Sequence, residues 1–338
     1  MKAVYDAAEQ AHDPQFFLSS GAPQSCPEKP ARAAALLAAV NRMGLPVVKP
    51  ADRGRDPIRA VHPERYLTFL ENIYPRWQRI AGASAEVIPN IHPDRRDGGY
   101  PASAVGQAGY HMTDTSCPIG AATWAAAYAS AQTALHAAAL VAAGDRSAYA
   151  LCRPPGHHAF AELAGGFCYL NNSAIAAEAL TRAGHRVAIL DVDLHHGNGT
   201  QGIFYYRADV LTLSIHADPV RFYPFFWGYA DETGEGEGEG CNLNLPLARG
   251  TGDQGFLAAV ETALERVAAF GATTLVLALG LDAFEGDPFG GLSVTTPGFA
   301  RIGAAVAETD LPCVIVQEGG YLCPALGANL EAVLQAFL

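Results

Sequence analysis

Short apolar, β-branched runs alternate with longer helical patterns along the chain, and this alternation constrains the fold more than any other feature. The runs predicted as strands are residues 148–152, 186–193, 209–216, 241–247, 273–280 and 312–319. The segments predicted as helices are residues 30–43, 57–80, 120–143, 171–183, 253–270, 297–308 and 324–337. The strands are continuously apolar, as expected for parallel strands covered on both faces. The pattern therefore predicts an α/β fold.

The chain is predicted to form one domain over residues 1–338, because no change in composition marks a second one and half of its residues are hydrophobic. Residues 84–119 depart from the alternating pattern. They are rich in Gly, Pro and Asp and show no clear period. A loop of this length in a compact domain is usually functional or an interaction element.

Charge and cysteine content argue against several classes of function. The formal net charge is −12, lysines are few, and aspartates are interleaved with the densest arginines, so no nucleic-acid partner is expected. An acidic protein more readily attracts a cationic substrate. Seven cysteines without a C-x-x-C pair, and an N-terminus without an apolar signal region, favour the cytoplasm. The Ala-rich residues 120–144 contain Gln132 and His136, which favours a buried helix over a membrane span.

Polar groups follow five of the six predicted strands. They are "CRPPGHHA", "DVDLHHGNG", "SIHADP", "LGLDAFEGDP" and "QEGGYL". The carboxyl ends of parallel strands lie at one edge of a sheet, where ligands bind in open α/β folds. A buried strand gains nothing from an acid or an imidazole at its end, so together these groups predict a functional site.

Three of these polar residues have the spacing of metal ligands. Asp191, Asp193 and His195 alternate in an extended segment, so their side chains point the same way. Asp282 follows another buried strand and can reach the same edge. A catalytic zinc takes three protein ligands and a water, and an Asp/His/Asp set would also accept Fe²⁺ or Co²⁺. The alternative for each acid is capping of the helix or turn that follows.

A histidine pair and a tyrosine are the other candidates for catalysis. His157 and His158 stand side by side after a Pro-Pro-Gly turn, which suits proton transfer because each ring can be tuned by a different partner. Tyr321 follows two glycines, so it either donates to an oxyanion or covers the core. His196 alternates away from Asp193 and is predicted to be mainly structural.

Five motifs in this order, "RPPGHHA", "GGFCYLNNSAIAA", "LDVDLHHGNGTQGIFY", "LGLDAFEGDP" and "EGGY", resemble those of the histone deacetylase/acetylpolyamine amidohydrolase family. The stretch "WGYADETGEGEGEG" and residues 84–119 make the chain most similar to the bacterial acetylpolyamine amidohydrolase branch. The resemblance implies an arginase/deacetylase-like three-layer fold with a central eight-stranded parallel sheet. It implies a zinc-dependent amidohydrolase that removes N-acetyl or other N-acyl groups from small cationic amines, such as acetylpolyamines, or from acetyl-lysine.

The resemblance also implies a role for each candidate residue. The Zn²⁺ ligands would be Asp193, His195 and Asp282. His158 would be the general base and acid, oriented by Asn198. His157 would be its electrostatic partner, oriented by Asp191. Tyr321 would donate a hydrogen bond to the amide carbonyl. A structural K⁺ would be held, partly by backbone, at Asp191, Ser214 and Ile215. The implied substrate contacts are Gly166, Phe167, Tyr223 and, at an inner acetate channel, Arg32.

Residues 84–119 would lie near the active-site mouth and narrow it in a homodimer, which would admit small or extended amines rather than folded proteins. Enzymes of the polyamine branch carry acids in this segment to meet the substrate cation. The matching positions here are Val105 and Ser116, with Asp114 the nearest acid. This departure leaves acetylpolyamines and other acyl amines open as substrates.

Two other functions are considered beside this one. An arginase-like binuclear manganese hydrolase of guanidino compounds would need a second set of acids, but His196, Gly197 and Asn198 follow the ligand candidate His195. A catalytically silent acyl-ligand-binding homologue would lack part of the catalytic set, and no part is missing from the sequence.

Overall fold

An eight-stranded parallel sheet forms the centre of the computed structural model, which describes residues 1–338. The strands are β1 (Lys2–Val4), β2 (Phe16–Ser19), β3 (Ala22–Ser25), β4 (Val47–Val48), β5 (Ser147–Ala150), β6 (Val187–Asp191), β7 (Val210–Ala217), β8 (Asn242–Leu247), β9 (Thr274–Leu279) and β10 (Cys313–Gln317). The sheet order is β4-β1-β5-β10-β9-β6-β7-β8, while β2 and β3 form a separate antiparallel hairpin. The predicted α/β fold with a central eight-stranded parallel sheet is confirmed.

Helices cover both faces of the sheet. They are α1 (Pro30–Arg42), α2 (Asp56–Arg59), α3 (Glu64–Trp77), α4 (Ala104–His111), α5 (Thr123–Ala142), α6 (Asn172–Arg182), α7 (Asn198–Phe204), α8 (Asp253–Phe270), α9 (Thr296–Ala307) and α10 (Leu326–Leu334). None of them combines the length and the apolar character needed to cross a membrane.

Alternate side chains of each central strand enter different cores. In β6, Ala188 and Leu190 belong to a buried apolar cluster shared with α1, α8, α9 and α10, whereas Val187 and Ile189 belong to a second cluster shared with α3, α5 and α6. Each cluster contains 39 buried residues, so neither face is left to solvent. Burial on both faces explains why these strands are continuously apolar in sequence.

All six predicted strands are present, but the sheet has two more. Strands β1 and β4 are three and two residues long, too short for a sequence period to show. The helix predicted over 57–80 is wrong as a single element, since the chain forms α2 and α3 instead. Pro63 separates them in an extended conformation, and a proline also disfavours helical geometry at the residue before it.

Residues 84–119, predicted without a regular element, contain helix α4. Its sequence, "AVGQAGYH", holds two glycines that obscure a helical period, but the Ser103 side chain accepts a hydrogen bond from the Gly106 N–H and caps its start. The two ends of the segment are joined where Val87 and Ile119 exchange backbone hydrogen bonds. The segment therefore returns to its starting point on the body of the protein.

The order of strands brings the polar motifs together. Strands β5, β10, β9 and β6 are successive neighbours in the sheet, although they are far apart along the chain. The histidine pair follows β5, Tyr321 follows β10, Asp282 follows β9, and Asp193 follows β6. Because all four strands are parallel, these groups leave the sheet at the same edge.

Candidate active site

Three buried side chains beyond β6 and β9 form a set of donors suited to a metal ion. One donor atom from each of Asp193, His195 and Asp282 lies within 4.8 Å of the others. His195 Nδ1 is 3.3 Å from Asp193 Oδ1 and 3.3 Å from Asp282 Oδ2. Asp282 Oδ2 is buried without a hydrogen-bond partner. A buried carboxylate oxygen is costly in that state, so this atom fits a bound cation.

The backbone leaves room for those donors only because residue 319 is a glycine. A Cβ at Gly319 would clash with the carboxylate oxygens of both Asp193 and Asp282. The Gly319 N–H donates to Asp193 Oδ2 over 2.8 Å, and the Leu194 N–H donates to Asp282 Oδ1 over 3.0 Å. The two carboxylates are therefore oriented by backbone donors, each with one oxygen turned toward His195.

The pKa values of these three side chains are shifted because two carboxylates lie close together beside one imidazole. Burial lowers the pKa of His195, but Asp193 and Asp282 outweigh it and raise that pKa to about 9. Burial and the charge of Asp193 raise the pKa of Asp282. Despite burial, His157 and His195 hold the pKa of Asp193 well below its usual range. A divalent cation would satisfy the same negative charge and would displace the proton from His195.

The two adjacent histidines are held by different partners. Nδ1 of His157 is 2.9 Å from Asp191 Oδ2, whereas Nδ1 of His158 is 2.7 Å from Asn198 Oδ1. The ring centroids are 4.0 Å apart. Burial lowers the pKa of His157, but Asp193 and Asp191 outweigh it and raise that pKa to about 10. Burial and the neighbouring His157 hold the pKa of His158 well below its usual range. One ring therefore favours the cation and the other the neutral form.

The turn that carries the histidine pair is fixed by Glu318, which sequence reasoning missed. Its Oε2 accepts hydrogen bonds from the N–H groups of Gly156 (2.6 Å) and His157 (3.0 Å), and its Oε1 accepts one from Ser173 Oγ (2.7 Å). Glu318 is fully buried, and burial raises its pKa to about 7. An acid directly after an apolar strand was the available signal, but in "QEGGYL" it was attributed to Tyr321 alone.

Tyr321 is fixed from several sides. Its backbone N–H donates to Asp287 Oδ2 over 2.9 Å, and its ring centroid is 4.6 Å from that of Phe289. Gly320, directly before it, has a φ of +108°, a backbone conformation that favours glycine. Burial, which outweighs the nearby Arg32, raises the pKa of the phenol well above its usual range, so the hydroxyl remains a donor. Asp287 is a second residue that sequence reasoning missed.

Arg32 lies behind Tyr321, with its guanidinium carbon 4.9 Å from the centre of that ring. It is fully buried and donates to the carbonyl oxygens of Gly320 (2.5 Å) and Glu318 (2.7 Å) and to the carboxylate of Glu28 (2.6 Å). These contacts tie α1 to the strand end that carries Tyr321. Arg32 does not line the cavity in front of that residue.

A cavity of about 710 Å³ opens in front of these groups. The residues predicted for the reaction that line it are His157, His158, Asp193, His195, Asn198 and Tyr321. The predicted substrate contacts Gly166, Phe167 and Tyr223 form part of its wall, and residues 84–119 contribute Thr113, Asp114 and Ser116. Catalytic candidates from the ends of β5, β6 and β10 therefore face one cavity, while Asp282, after β9, lies behind its lining.

One wall of the cavity is held together by Asp114. Its Oδ2 accepts hydrogen bonds from Tyr223 Oη (2.7 Å) and the Gly166 N–H (3.1 Å), and its Oδ1 accepts one from the Ser116 N–H (2.7 Å). Val105, the other position compared with an acid of the polyamine branch, lies in α4 and does not line the cavity. Tyr223 also meets His158 edge to face, with ring centroids 4.9 Å apart.

The residues predicted to hold potassium lie behind the histidine pair. Asp191 and Ser214 border a second, small polar cavity, and Ser214 Oγ is 2.9 Å from His216 Nδ1. Ile215 follows within β7 and is buried in the core. The ring of His196 also faces away from the large cavity, with Nε2 bonded to Gln201 Oε1 over 2.8 Å.

Known proteins resemble this chain over most of its length. Residues 26–337 match the family model for the histone deacetylase domain. The chain is 46% identical over 342 residues to acetylpolyamine amidohydrolase 1 of Pseudomonas aeruginosa, covering 100% of this chain and 99% of that protein. It is 44% identical over 311 residues to the acetylpolyamine amidohydrolase of Mycoplana ramosa, with 91% of each protein covered.

A solved structure extends the likeness to three dimensions. The crystal structure of acetylpolyamine aminohydrolase from Burkholderia pseudomallei is similar with a TM-score of 0.96 and 48% sequence identity. The match covers 100% of this chain and 98% of that one. The chain therefore belongs to the histone deacetylase/acetylpolyamine amidohydrolase family of amide hydrolases.

Proposed function

We propose that this protein is a zinc-dependent deacetylase that hydrolyses N-acetyl amides of small cationic amines. The observation that carries the proposal is that Asp193 and His195, the neutral-favouring ring of His158 and the phenol of Tyr321 all line one cavity. Relatives named acetylpolyamine amidohydrolase support acetylpolyamines as the substrate class. Acetyl-lysine remains the second substrate to test.

Asp193, His195 and Asp282 would hold the metal ion, as their clustered donor atoms and the unpartnered Asp282 oxygen support. A divalent ion bound there would acidify a water molecule and polarise the acetyl carbonyl. Zn²⁺ suits three protein ligands with a free position, and the same oxygen-rich set would accept Fe²⁺ or Co²⁺.

His158 would move the proton in this reaction. Because Asn198 Oδ1 can only accept, His158 Nδ1 carries the hydrogen of that 2.7 Å bond and Nε2 is left as the basic atom. Its lowered pKa keeps the ring neutral near pH 7, ready to take a proton from water and return it to the leaving amine. The His157 cation, 4.0 Å away between ring centroids, would favour the negative charge that develops during attack.

Tyr321 would stabilise that negative charge directly. Its raised pKa keeps the hydroxyl protonated, so it can donate a hydrogen bond to the oxygen of the acetyl group as that oxygen becomes an anion. Gly166, Phe167 and Tyr223 would confine the acyl amine between the mouth and the catalytic groups.

The proposal is tested by measuring amine release from N-acetylputrescine and an acetyl-lysine peptide. We expect Tyr321→Phe and His158→Ala to lower kcat by about 10² to 10⁴-fold. Tyr206→Phe is the control, since it removes a phenol that is 61% exposed and outside the cavity. Unchanged rates in both cavity variants would reject this mechanism.

Metal analysis separates the proposal from an arginase-like binuclear hydrolase. The only other metal-sized group of His, Cys, Asp and Glu side chains is His157, Cys168 and Glu318. Both carboxylate oxygens of Glu318 already accept hydrogen bonds, which supports a single ion. We expect one metal ion per chain, and two would favour the arginase-like reaction. Metal-loaded protein that hydrolyses no acyl amide would instead favour a silent binding homologue.

We also propose a structural K⁺ at Asp191, Ser214 and Ile215. The support is that Asp191 and Ser214 border the small polar cavity behind the histidine pair. Such an ion would stabilise the segment that carries the metal ligands. Exchange of K⁺ for a large organic cation should then lower the Tm, whereas added Na⁺ should restore it less well than added K⁺.

A homodimer is proposed from residues 84–119, which contribute to the cavity mouth and also expose apolar side chains. Ile91 is 59% exposed and Tyr100 is 39% exposed in this segment. Burial of these side chains in a second copy would narrow the mouth and favour small acyl amines. Sedimentation equilibrium should give a dimer, and a monomer at micromolar concentration would contradict the proposal.

A further inference from the structure

The cavity lining carries few charges outside the catalytic set. Apart from the metal-ligand candidate Asp193, Asp114 is its only carboxylate, and apart from histidines Arg221 is its only cation. The remaining outer wall is largely aromatic, with side chains from Phe17, Phe160, Phe225, Phe226 and Trp227. A substrate amine therefore meets one negative charge, one positive charge and several ring faces.

Asp114 lies close to the point where the substrate amide would be cleaved. Its Oδ2 accepts a hydrogen bond from the Gly166 N–H, and Gly166 lies so near His158 that a Cβ would clash with that ring. Every hydrogen bond to Asp114 comes from a neutral donor, and no arginine or lysine pairs with it. Its negative charge is therefore uncompensated, and an ammonium a few bonds from the amide is attracted to it.

Arg221 presents the opposite charge farther from the catalytic groups. It precedes Phe222 and Tyr223, is exposed, and forms no ion pair in the structure. Phe226 in the same loop is 84% exposed, which marks this part of the lining as the outer rim. The aromatic ring faces attract a substrate ammonium modestly. A second, distal ammonium of the substrate that reaches this rim is also repelled by the positive charge of Arg221.

We propose that the cavity selects N-acyl amines with one ammonium near the amide over those with a second, distal ammonium. Asp114 binds the near charge and Arg221 disfavours the distal one. The inference rests on the proposed deacetylase function and narrows its substrates from acylated polyamines in general to acylated diamines. Repulsion between two unit charges about 8 Å apart weakens binding by roughly 3-fold at the dielectric constant of water and roughly 30-fold at that of a protein surface.

Three acetamides test the charge selection, because they differ mainly in the number of ammonium groups. N-acetylputrescine has one, N1-acetylspermidine has two, and N-acetylbutylamine has none. We expect kcat/KM to be highest for N-acetylputrescine, with N1-acetylspermidine at least 3-fold lower. Equal or faster turnover of N1-acetylspermidine would overturn the proposal.

Arg221→Glu tests the distal charge. Because it reverses the charge and so doubles the change in interaction energy, it should raise kcat/KM for N1-acetylspermidine by at least about 6-fold and change the value for N-acetylbutylamine little. Arg146→Glu is the control, since it changes the net charge equally but lies before β5, at the opposite edge of the sheet. An equal change in both variants would show a general charge effect and would contradict a role for Arg221.

Asp114→Asn and Tyr223→Phe separate the near charge from the hydrogen bond. Asp114→Asn should raise KM for N-acetylputrescine about 10-fold while KM for N-acetylbutylamine stays nearly constant. Tyr223→Phe keeps the carboxylate and should keep the preference for the cation. A loss of turnover in Asp114→Asn that is equal for both substrates would contradict charge recognition.

Calorimetric binding of the free amines makes the two proposals independent. Putrescine should bind more tightly than spermidine to the zinc-loaded enzyme, and Arg221→Glu should reverse that order. If none of the three acetamides is hydrolysed but this order is observed, the deacetylase proposal fails and the charge selection stands. If hydrolysis occurs and spermidine binds as tightly as putrescine, the charge selection fails alone.

Discussion

Glu318 and His157 are joined by a hydrogen bond from the His157 backbone N–H to Glu318 Oε2, with a length of 3.0 Å. The same oxygen accepts the N–H of Gly156 over 2.6 Å. Glu318 also begins the segment that leads to Tyr321, three residues later. The turn that leads to the proposed general base, His158, and the segment that carries the proposed carbonyl donor, Tyr321, therefore share one buried carboxylate as a common support.

Replacement of Glu318 should misplace the base without removing a substrate contact. We expect Glu318→Ala to lower kcat by about 10- to 100-fold with little change in KM, because small errors in the position of reacting groups are costly. Glu318→Gln keeps an acceptor oxygen and should recover most of the rate. Steady-state kinetics at matched metal content check this, and an equally impaired Gln variant would show that the charge matters more than the position.

Gly319→Ala should prevent metal binding, because its Cβ would clash with the carboxylates of Asp193 and Asp282. We expect less than stoichiometric zinc by elemental analysis and a corresponding loss of activity. Gly98→Ala is the matched control, since no atom lies within 4 Å of the added carbon. Full zinc occupancy in Gly319→Ala would contradict the assigned ligands.

Asn198→Asp should move the acidic limb of the pH profile of kcat/KM to higher pH. A general base must be neutral, so activity falls as the pH drops through its pKa, and burial keeps the pKa of His158 low. A carboxylate at the position of the amide would favour the charged ring and raise that pKa by about 1 to 3. An unshifted acidic limb would argue against His158 as the base.

Zinc should stabilise the folded protein, because the proposed ligands Asp193, His195 and Asp282 come together only when the strand ends are assembled. At about 100 times the Kd, bound zinc contributes about 2.7 kcal/mol to the free energy of unfolding. Thermal denaturation after treatment with a chelator should therefore give a lower Tm, restored by added zinc. Asp282→Asn should show a much smaller response, and an equal response would place the metal elsewhere.

The parts of the site that follow sequence period and strand order could be predicted. Asp191, Asp193 and His195 alternate from the end of a buried strand, and Asp282 follows another strand. Because parallel strands end at the same edge of a sheet, these positions alone predicted that the four side chains lie close together. The histidine pair and Tyr321 were predicted from their positions after two other strands, and the family motifs added a role for each. For these residues, the local sequence period and the order of strands in the sheet both place the side chains at the same site.

The contacts of the supporting residues could not be predicted this way, since each contact joins distant parts of the chain. Asp114 meets Tyr223 across 109 positions, and Glu318 meets Gly156 across 162. Neither acid belongs to a repeating pattern, so only the folded structure shows its partner. The short strands β1 and β4 were missed because two or three residues cannot display a period.

The parallel pairing of β6 with β9 has a consequence for how this enzyme matures. The metal-ligand candidates that follow these strands are brought together across 88 positions, as the bond from the Leu194 N–H to Asp282 shows. Contacts of such separation form late, since the entropy of closing a long loop opposes them until other structure is in place. We therefore expect a nascent chain to offer no three-ligand site, so that a bound metal ion would stabilise the finished sheet and would not nucleate it.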